Sequence, residues 1–414
     1  MAQLSDDCFA FGGALLTLDA ARAMIMAQVG PVDGTERVGL HEADGRVLAV
    51  DVTAPVDLPP FDNSAVDGYA VRLAGLERGG RLPVLGRLAA GAPARPLVDG
   101  TAQRIFTGAA LPPGADTVFM QEDVRLDAGQ VKLPPGLRRG ANTRPRGEDI
   151  SQGATALHAG LRLRPQDLAL AAALGLTQLA VRRPVRVALF STGDELIEPG
   201  QPTGPARRFD SNRVLLAAMA RRAGAQVTDL GILPDRLDTI AGALREAGRG
   251  HDLILTSGGV SAGEEDHVRT AVEAAGRLVF WRLAVKPGRP VAMGVVDGVP
   301  FVGLPGNPVA VFVTFAQVAR PLIAALAGAE VQPPPTLRVP AAFAYRKKAG
   351  RREYVRVRLR PGADGVAAAH KHGVDGAGIL TSLTETDGLA ELADDVTVVS
   401  PGETVSYLPY ALLF

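Results

Sequence analysis

Apolar and polar positions change rhythm several times along the chain. Residues 14–29 (ALLTLDAARAMIMAQV) put apolar side chains at helical spacing and stop at Gly30-Pro31, which predicts an opening helix. Residues 36–54 read as a strand, a short helix around Asp44 to Ala49, and another strand. From 55 to 146 the apolar runs shorten and turn pairs recur at Pro59-Pro60, Asp67-Gly68, Asp99-Gly100, Pro112-Pro113 and Pro134-Pro135. That is the pattern of a small all-β module. Residues 165–174 return to helix, with Pro165 suited to a first helical position and Gly175 to the residue after the last turn.

The stretch 185–327 has the clearest periodicity. It predicts strand 185–190, helix 212–223, strand 225–232, helix 236–247, strand 251–256, helix 264–275 and strand 277–285. A hairpin 290–304 turning at Asp297-Gly298 follows, then helix 308–327 with Asn307 as its cap and Pro308 at its first position. Such alternation predicts a mainly parallel sheet covered on both faces. Pro333-Pro334-Pro335 marks a linker. Beyond it, short β-type runs alternate with Gly and Asp turns, fitting a small β-barrel or sandwich.

Composition narrows the class. A chain of 414 residues exceeds one ordinary core and predicts roughly two to four domains. The apolar share of 47% and charged share of 21% are those of a soluble globular protein. Lys+Arg and Asp+Glu balance at 44 each, so no electrostatic footprint for nucleic acid is present. No run of about 18 apolar residues predicts a membrane span. The start, MAQLSDDCFAFGG, lacks a basic segment followed by an apolar one, which argues against export. The single cysteine, Cys8, cannot form an internal disulfide and reads as a thiol in a reducing compartment. A cytoplasmic protein is expected.

Three strands run into glycine-containing polar loops: VRVALFSTGDE (185–195), HDLILTSGGVSAGEED (251–266) and VPFVGLPGNP (299–308). In an open α/β sheet such loops gather at the carboxyl ends of the strands, where ligands bind. Glycines let the backbone approach a ligand, and helix N-terminal amides favour anions. Ser257, Gly258, Gly259 and Ser261, with Pro305, Gly306 and Asn307, are therefore expected to line a pocket for an anionic small molecule. Acids follow the strands as well: Asp194 and Glu195, Asp235, and Glu264, Glu265 and Asp266. Like charges so close are costly unless a cation joins them, and oxygen-only ligands suit Mg²⁺. Singly, each acid is equally explained as a complement to a helix dipole. Arg282, Lys286 and Arg289 in FWRLAVKPGRP can hold oxyanions, or can be a solvated strand end.

Gly259 to Gly263 matches the G-x-S-x-G nucleophile elbow, but the strand ends near Thr256, so Ser261 falls past the sharp turn such an elbow requires. His267, His370 and His372 lie downstream in no triad context, and a serine hydrolase is set aside. Upstream, FDNSAVDGYAV (61–71) offers Asx-type turns at Asp62, Asn63 and Ser64 and another turn at Asp67-Gly68. RPRGEDI (144–150) puts Arg144, Arg146, Glu148 and Asp149 in a polar loop. On residues alone, structural duty suffices for both stretches.

Taken together, PPFDNSAVDGYAV (59–71), FTGAALPPGAD (106–116), RGEDI (146–150), FSTGDEL (190–196), SNR (211–213), SGGVSAGEED (257–266), FWRLAVKPGRP (280–290) and GLPGNPV (303–309) resemble the molybdopterin molybdotransferase family, the MoeA proteins and the gephyrin E domain. The resemblance implies a multidomain α/β plus β protein. Its parts are a discontinuous linker-like domain (1–54 and 147–183), a β-rich module (55–146), a central, mainly parallel α/β molybdopterin-binding domain (184–330) and a C-terminal β-barrel (336–414). It implies a homodimer whose active site lies between the α/β domain of one subunit and the β module of the other. That brings in Asp67, Thr107 and Asp149 as catalytic residues beside Glu195, and Arg144 as a substrate ligand. The implied reaction takes adenylylated molybdopterin and molybdate, releases AMP, and leaves molybdenum on the dithiolene sulfurs. Glu195, Asp235 and Asp266 would hold Mg²⁺, and Arg282, Lys286 and Arg289 the molybdate. A molybdopterin adenylyltransferase and downstream molybdoenzyme chaperones are the implied protein partners.

Departures from the family pattern are Arg289 and His267, where lysine and tyrosine are common, and Ala377 in GVDGAGILTSL, where serine is frequent. The last argues against a direct share of the barrel in the site; Arg356 in REYVRVRL keeps the pattern. The alternatives are the sister adenylyl transfer and a non-catalytic dimeric scaffold. The β module with Asp67 and Thr107 disfavours the first, and the lack of a long linker or second cofactor domain disfavours the second.

Overall fold

RVALFST cannot leave either face in water, and it becomes a central strand. In the computed structural model this strand, β1 (Arg186–Thr192), is buried from Val187 onward. It belongs to a six-stranded sheet with β2 (Gln226–Leu233), β3 (Leu253–Ser257), β4 (Gly276–Arg282), β5 (Pro290–Val296) and β6 (Val299–Leu304). The order across the sheet is β2-β1-β3-β6-β5-β4. The first four are parallel, and β5 and β4 run antiparallel to their neighbours. Alternate residues feed two cores. Val187, Leu189, Leu253 and Leu255 face helices Leu18–Gln28, Asn212–Arg222 and Pro308–Leu326. Ala188, Phe190 and Ile254 face helices Leu237–Gly250 and His267–Ala275. The chain steps from β1 to β2 on one side and returns to β3 on the other, so a crevice opens at the carboxyl ends of β1 and β3.

The structure describes residues 15–76, 78–260, 267–362 and 365–413, in two units. The central sheet lies in the larger one, which takes the described residues up to Glu36, Gly45–Ala49 and Val181 onward. That unit also holds a C-terminal sheet ordered Ala367–Lys371, Arg352–Pro361, Gly388–Leu392, Thr404–Pro409, Leu337–Pro340. Ala341 then bridges back to Ala369, and the Ala342 amide donates to the Ala369 carbonyl at 2.8 Å, which closes the sheet into a barrel. The segment predicted as one strand over 277–285 divides. β4 ends at Arg282, and Val285–Lys286 crosses to the barrel as a parallel neighbour of Arg352–Glu353.

The helix predicted over 308–327 is interrupted. Pro308–Thr314 is α-helical, Phe315–Ala319 is a π-turn and Arg320–Leu326 is α-helical again. Pro321 has no N–H, and its ring crowds the carbonyl four residues earlier, that of Gln317. Arg22 takes that carbonyl instead, through Nε at 3.0 Å, and also donates to the Gln317 side chain. Asn307 stands at the cap position without a capping hydrogen bond from its side chain. By length and composition this helix could cross a membrane, but 78% of its apolar window is buried inside the protein, as befits a core helix.

The smaller unit comprises Arg37–Asp44 and Val50–Ala180. Its six-stranded sheet runs Thr117–Met120, Gly68–Val71, Ala102–Ile105, Gly80–Leu88, Gln130–Leu133, Arg125–Asp127 over a core that includes Tyr69, Val71, Phe119 and Val131. Helix Pro165–Ala173 follows with Pro165 in its first turn, and Gly175 takes φ +78° after its end. The short helix expected at 44–49 does not form. Val47, Leu48 and Ala49 are buried in succession, which extended chain permits, and Leu48 bridges to Val181. A single 3-10 turn occurs earlier, at Leu40–Glu42.

Candidate functional site

Register sets the first cleft. Ser191 of β1 lies beside Ser257 of β3, which lies beside Leu304 of β6, so the three loops leave one edge of the sheet together. Asn212, the first residue of helix Asn212–Arg222, staples two of them. Its Nδ2 donates to Ser257 Oγ at 2.9 Å and to the Gly306 carbonyl at 2.8 Å. Ser257 Oγ in turn donates to the Pro305 carbonyl at 3.2 Å. A Cβ on Gly258 would lie 2.5 Å from the Thr192 carbonyl, and one on Gly259 would lie 2.4 Å from Val268 Cγ2; both have positive φ. Only glycine lets these backbones meet. Ser261, Glu264, Glu265 and Asp266 lie outside the described residues.

The acids converge. Asp235 Oδ1 is buried with no hydrogen-bond partner. Burial holds its carboxyl above the usual range and the charges of Asp194 and Glu195 add to this, while His267 and Thr192 pull the other way. Ser191 Oγ and Asn212 Oδ1 are likewise buried without partners. Buried polar atoms are normally satisfied, so ordered water or a ligand is expected to complete this edge. The donors are oxygens, which suits a hard cation. Among the described residues no three His, Cys, Asp or Glu side chains already form a metal cage. Glu195 pairs instead with Arg208, and the two line a cleft of about 190 Å³ with Thr192, Asn212, Ser257 and Gly258.

A short parallel strand pair, Leu196–Ile197 beside Arg208–Phe209, carries Arg208. Buried Arg213 clamps its base, bonding Glu198 on one arm, Asp210 on the other, and Asp229 of β2. Burial alone would lower the Arg213 pKa, but Asp229, Asp210 and Glu198 outweigh it and raise it well above the ordinary value.

A second cleft, of about 350 Å³, lies on the far side of the loop Pro305–Pro308, whose residues alternate between the two linings. Lys286 and Arg289 meet here. Lys286 donates to Glu353 Oε2 at 3.2 Å and to the Tyr345 hydroxyl at 3.3 Å. Glu353 is 1% exposed and also accepts from Tyr345 at 2.8 Å and from Arg351 at 2.7 Å. Arg356 is buried, with Nη2 on the carbonyls of Val374 at 2.9 Å and Gly376 at 3.2 Å, and its Nε is unpartnered. Burial lowers its pKa. Arg282, half-buried opposite Pro290 on β4, is not in this lining. Tyr345, Arg351, Arg356 and Ala377 all come from the barrel, so the expectation that Ala377 removes the barrel from the site is corrected.

In the smaller unit, the Thr107 amide and hydroxyl both donate to Asp67 Oδ1, each at 2.8 Å. They hold the Asp67 carboxyl below its ordinary pKa, helped by Arg104. Asp67 thus binds across to another loop, while Ser64 Oγ makes the local turn with the Val66 carbonyl at 2.6 Å. The two upstream motifs come together. Arg144 pairs with Asn63, the Arg146 amide donates to Asp62 Oδ1 at 2.7 Å, and the Asp149 amide donates to the Leu58 carbonyl at 2.9 Å. Arg144 and Asp149 are exposed. Sequence reasoning missed Asn212, Arg208, Tyr345 and Glu353; of these Asn212 sat inside a quoted motif, SNR, and Glu353 inside another, REYVRVRL.

Comparison with known proteins agrees along the whole chain. Residues 16–175 match the family described as MoeA N-terminal region (domain I and II). Residues 188–325 match the "Probable molybdopterin binding domain", and 338–410 the MoeA C-terminal region (domain IV). The chain is 37% identical over 399 residues to a molybdopterin molybdenumtransferase of Haemophilus influenzae, covering 96% of this chain and 99% of that protein. It is 36% identical over 386 residues to one from Nostoc sp., covering 90% and 88%. A crystal structure of a molybdopterin biosynthesis moeA protein from Pyrococcus horikoshii OT3 superposes with a TM-score of 0.82 at 28% identity, covering 96% of this chain and 100% of that one.

Proposed function

The chain belongs to the MoeA family, and from that premise we propose that it is a molybdopterin molybdenumtransferase that takes adenylylated molybdopterin and molybdate, inserts the molybdenum and releases AMP. The observation that carries this reading is the pairing of two unlike clefts across one loop, Pro305–Pro308. One has oxygen donors and glycine-backed amides; the other has Lys286, Arg289 and Arg356. A phosphoanhydride with a bound cation suits the first, and a compact dianion such as molybdate suits the second.

In this reading the Gly258 and Gly259 backbone, Ser257 and Ser261 hold the phosphates, with Pro305, Gly306 and Asn307 shaping the wall between the clefts. Glu195, Asp235 and Asp266 would hold Mg²⁺, which when bound screens charge on the scissile phosphate. Lys286, Arg289 and Arg356 fix molybdate near the dithiolene; Arg282 is the outlying member of that set. Asp67, kept ionised by Thr107, orients water or the cation's shell, with Arg144 and Asp149 beside it in the chain's second functional surface. We assign these four to the site of a partner copy in a homodimer, with the four-part division of the chain given above, and we place the enzyme in the cytoplasm.

The test is AMP release from adenylylated molybdopterin with Mg²⁺, with and without molybdate, by the wild type and Asp67→Asn. Molybdate-dependent release, reduced about a hundredfold or more by the substitution, is the expected result. No release by the wild type under any condition would overturn the reading.

A further inference from the structure

Arg208 is assigned no role by the reading above, yet its guanidinium sits on Glu195, one of the carboxylates that reading gives to the cation. Its side chain is 61% exposed, and it faces the same cleft as Asn212, Ser257 and Gly258. The backbone that carries it is fixed. The Arg208 amide donates to the Glu195 carbonyl at 2.9 Å, the Asp210 amide to the Ile197 carbonyl at 3.0 Å, and Arg213 clamps the end of both strands of this parallel pair. A long, exposed side chain on a pinned backbone can change partners without moving its loop. Its neighbour Arg207 differs: it donates to the Asp194 carbonyl and is not in the cleft lining.

We propose that Arg208 is an exchangeable counter-ion: it neutralises Glu195 in the ligand-free protein, yields that carboxylate to an entering divalent cation, and then holds a phosphate of the nucleotide substrate. Electrostatics drives the exchange. A divalent cation on Glu195 repels the guanidinium, and a phosphate arriving in the same cleft offers the planar fork two anionic oxygens. Cation and nucleotide therefore assist one another's binding through this side chain, and the assistance is reciprocal. This inference rests on the proposed nucleotide site, but its cation half can be read without nucleotide.

The decisive experiment uses the full chain as wild type, Arg208→Gln, Arg208→Lys and Arg207→Gln. Mn²⁺ binding is followed by the electron paramagnetic resonance of free Mn²⁺, and AMP binding by calorimetry at saturating Mn²⁺. Arg208→Gln should tighten Mn²⁺ about three- to fivefold without nucleotide, because a competing exposed ion pair is gone. It should weaken AMP about tenfold. Arg208→Lys should lie between it and the wild type in both measurements, and Arg207→Gln should match the wild type. The opposite signs are the signature, since a merely structural residue would weaken both together. Loss of both, no change in either, or tighter Mn²⁺ with unchanged AMP overturns the exchange. Failure of the wild type to bind AMP counts against the nucleotide site, and unchanged Mn²⁺ affinity in Arg208→Gln would then overturn the counter-ion role separately.

Discussion

The cleft at the ends of β1 and β3 is built on loops that follow their own strands, with Gly378 and Leu380 of the C-terminal region at its rim, whereas the cationic cleft beside it joins Lys286 to Glu353, 67 residues away, and to Tyr345, 59 residues away. In the first, parallel register brings three strand ends level, and the polar residues need only be next in the chain. In the second, Val285–Lys286 must leave the central sheet and join the barrel before any cation meets its partners. The sheet edge under the first leaves polar atoms unsatisfied at Ser191, Asn212 and Asp235; the second ties two of its four cations, Lys286 and Arg351, to one buried carboxylate, Glu353. Loops that follow a shared sheet edge can evolve a site piecemeal, while a site held between two sheets depends on their docking.

If the clefts serve different ligands, their variants should fail in different ways. The largest effect is expected for Asp235→Asn, which removes a carboxylate charge that acts on Glu195 at the acidic cleft. AMP release should fall by about a hundred- to a thousandfold at any molybdate concentration, as measured by product chromatography. Arg356→Ala should raise the molybdate concentration for half-maximal turnover roughly ten- to a hundredfold and leave Mn²⁺ binding unchanged. A matched loss of Mn²⁺ binding in that variant would dissolve the distinction between the clefts. Glu353→Gln should lower stability by about 1–3 kcal/mol, because Lys286, Arg351 and Tyr345 lose a shared charged acceptor. Chemical denaturation should show it as a lower midpoint.

The smallest effect separates the two regions by pH. Burial alone would raise the Asp229 pKa, but Arg213 and the Gly231 amide outweigh it and hold the carboxyl below the ordinary value. A depressed folded-state pKa contributes stability that is complete above the unfolded value of about 3.9 and disappears as pH falls through the folded value. Asp229→Asn should therefore differ from the wild type in melting temperature at neutral pH and converge with it below that range. Glu353→Gln, read at the same pH values, is the reference for the barrel side.

Most of the acidic cleft was legible because its signals are local. TSGG, TGDE and LPGN each announce a strand end and a turn in a few residues, and Ser257, Gly258 and Gly306 fall together as that pattern requires. Arg208 and Asn212 were passed over because their approach depends on a two-residue parallel strand pair and a helix start, neither long enough to show a period. The cationic cleft was half legible. Lys286 and Arg289 stood out in KPGR, but nothing in the sequence ties REYVRVRL to them, since pairing between distant strands leaves no periodic trace. The same reason explains why Ala377 was misjudged: its place in the lining comes from the barrel's docking, whatever side chain it bears. Asp67 and Thr107 became a pair only through the fold of the smaller unit.

The π-turn at Phe315–Ala319 has a consequence for how the molecule tolerates change. An α-helix turns about 100° per residue, so a residue gained or lost rotates everything downstream by that angle. The wider turn supplies such a step in phase between Asn307, which walls the two clefts, and Pro321, which leads to the barrel linker. Losing one residue here would turn Arg320–Leu326 about the helix axis and take Leu322, Ile323 and Leu326 out of register with the larger core. A change of length in this helix would thus be felt first in the core beneath the clefts, before any charged group is touched.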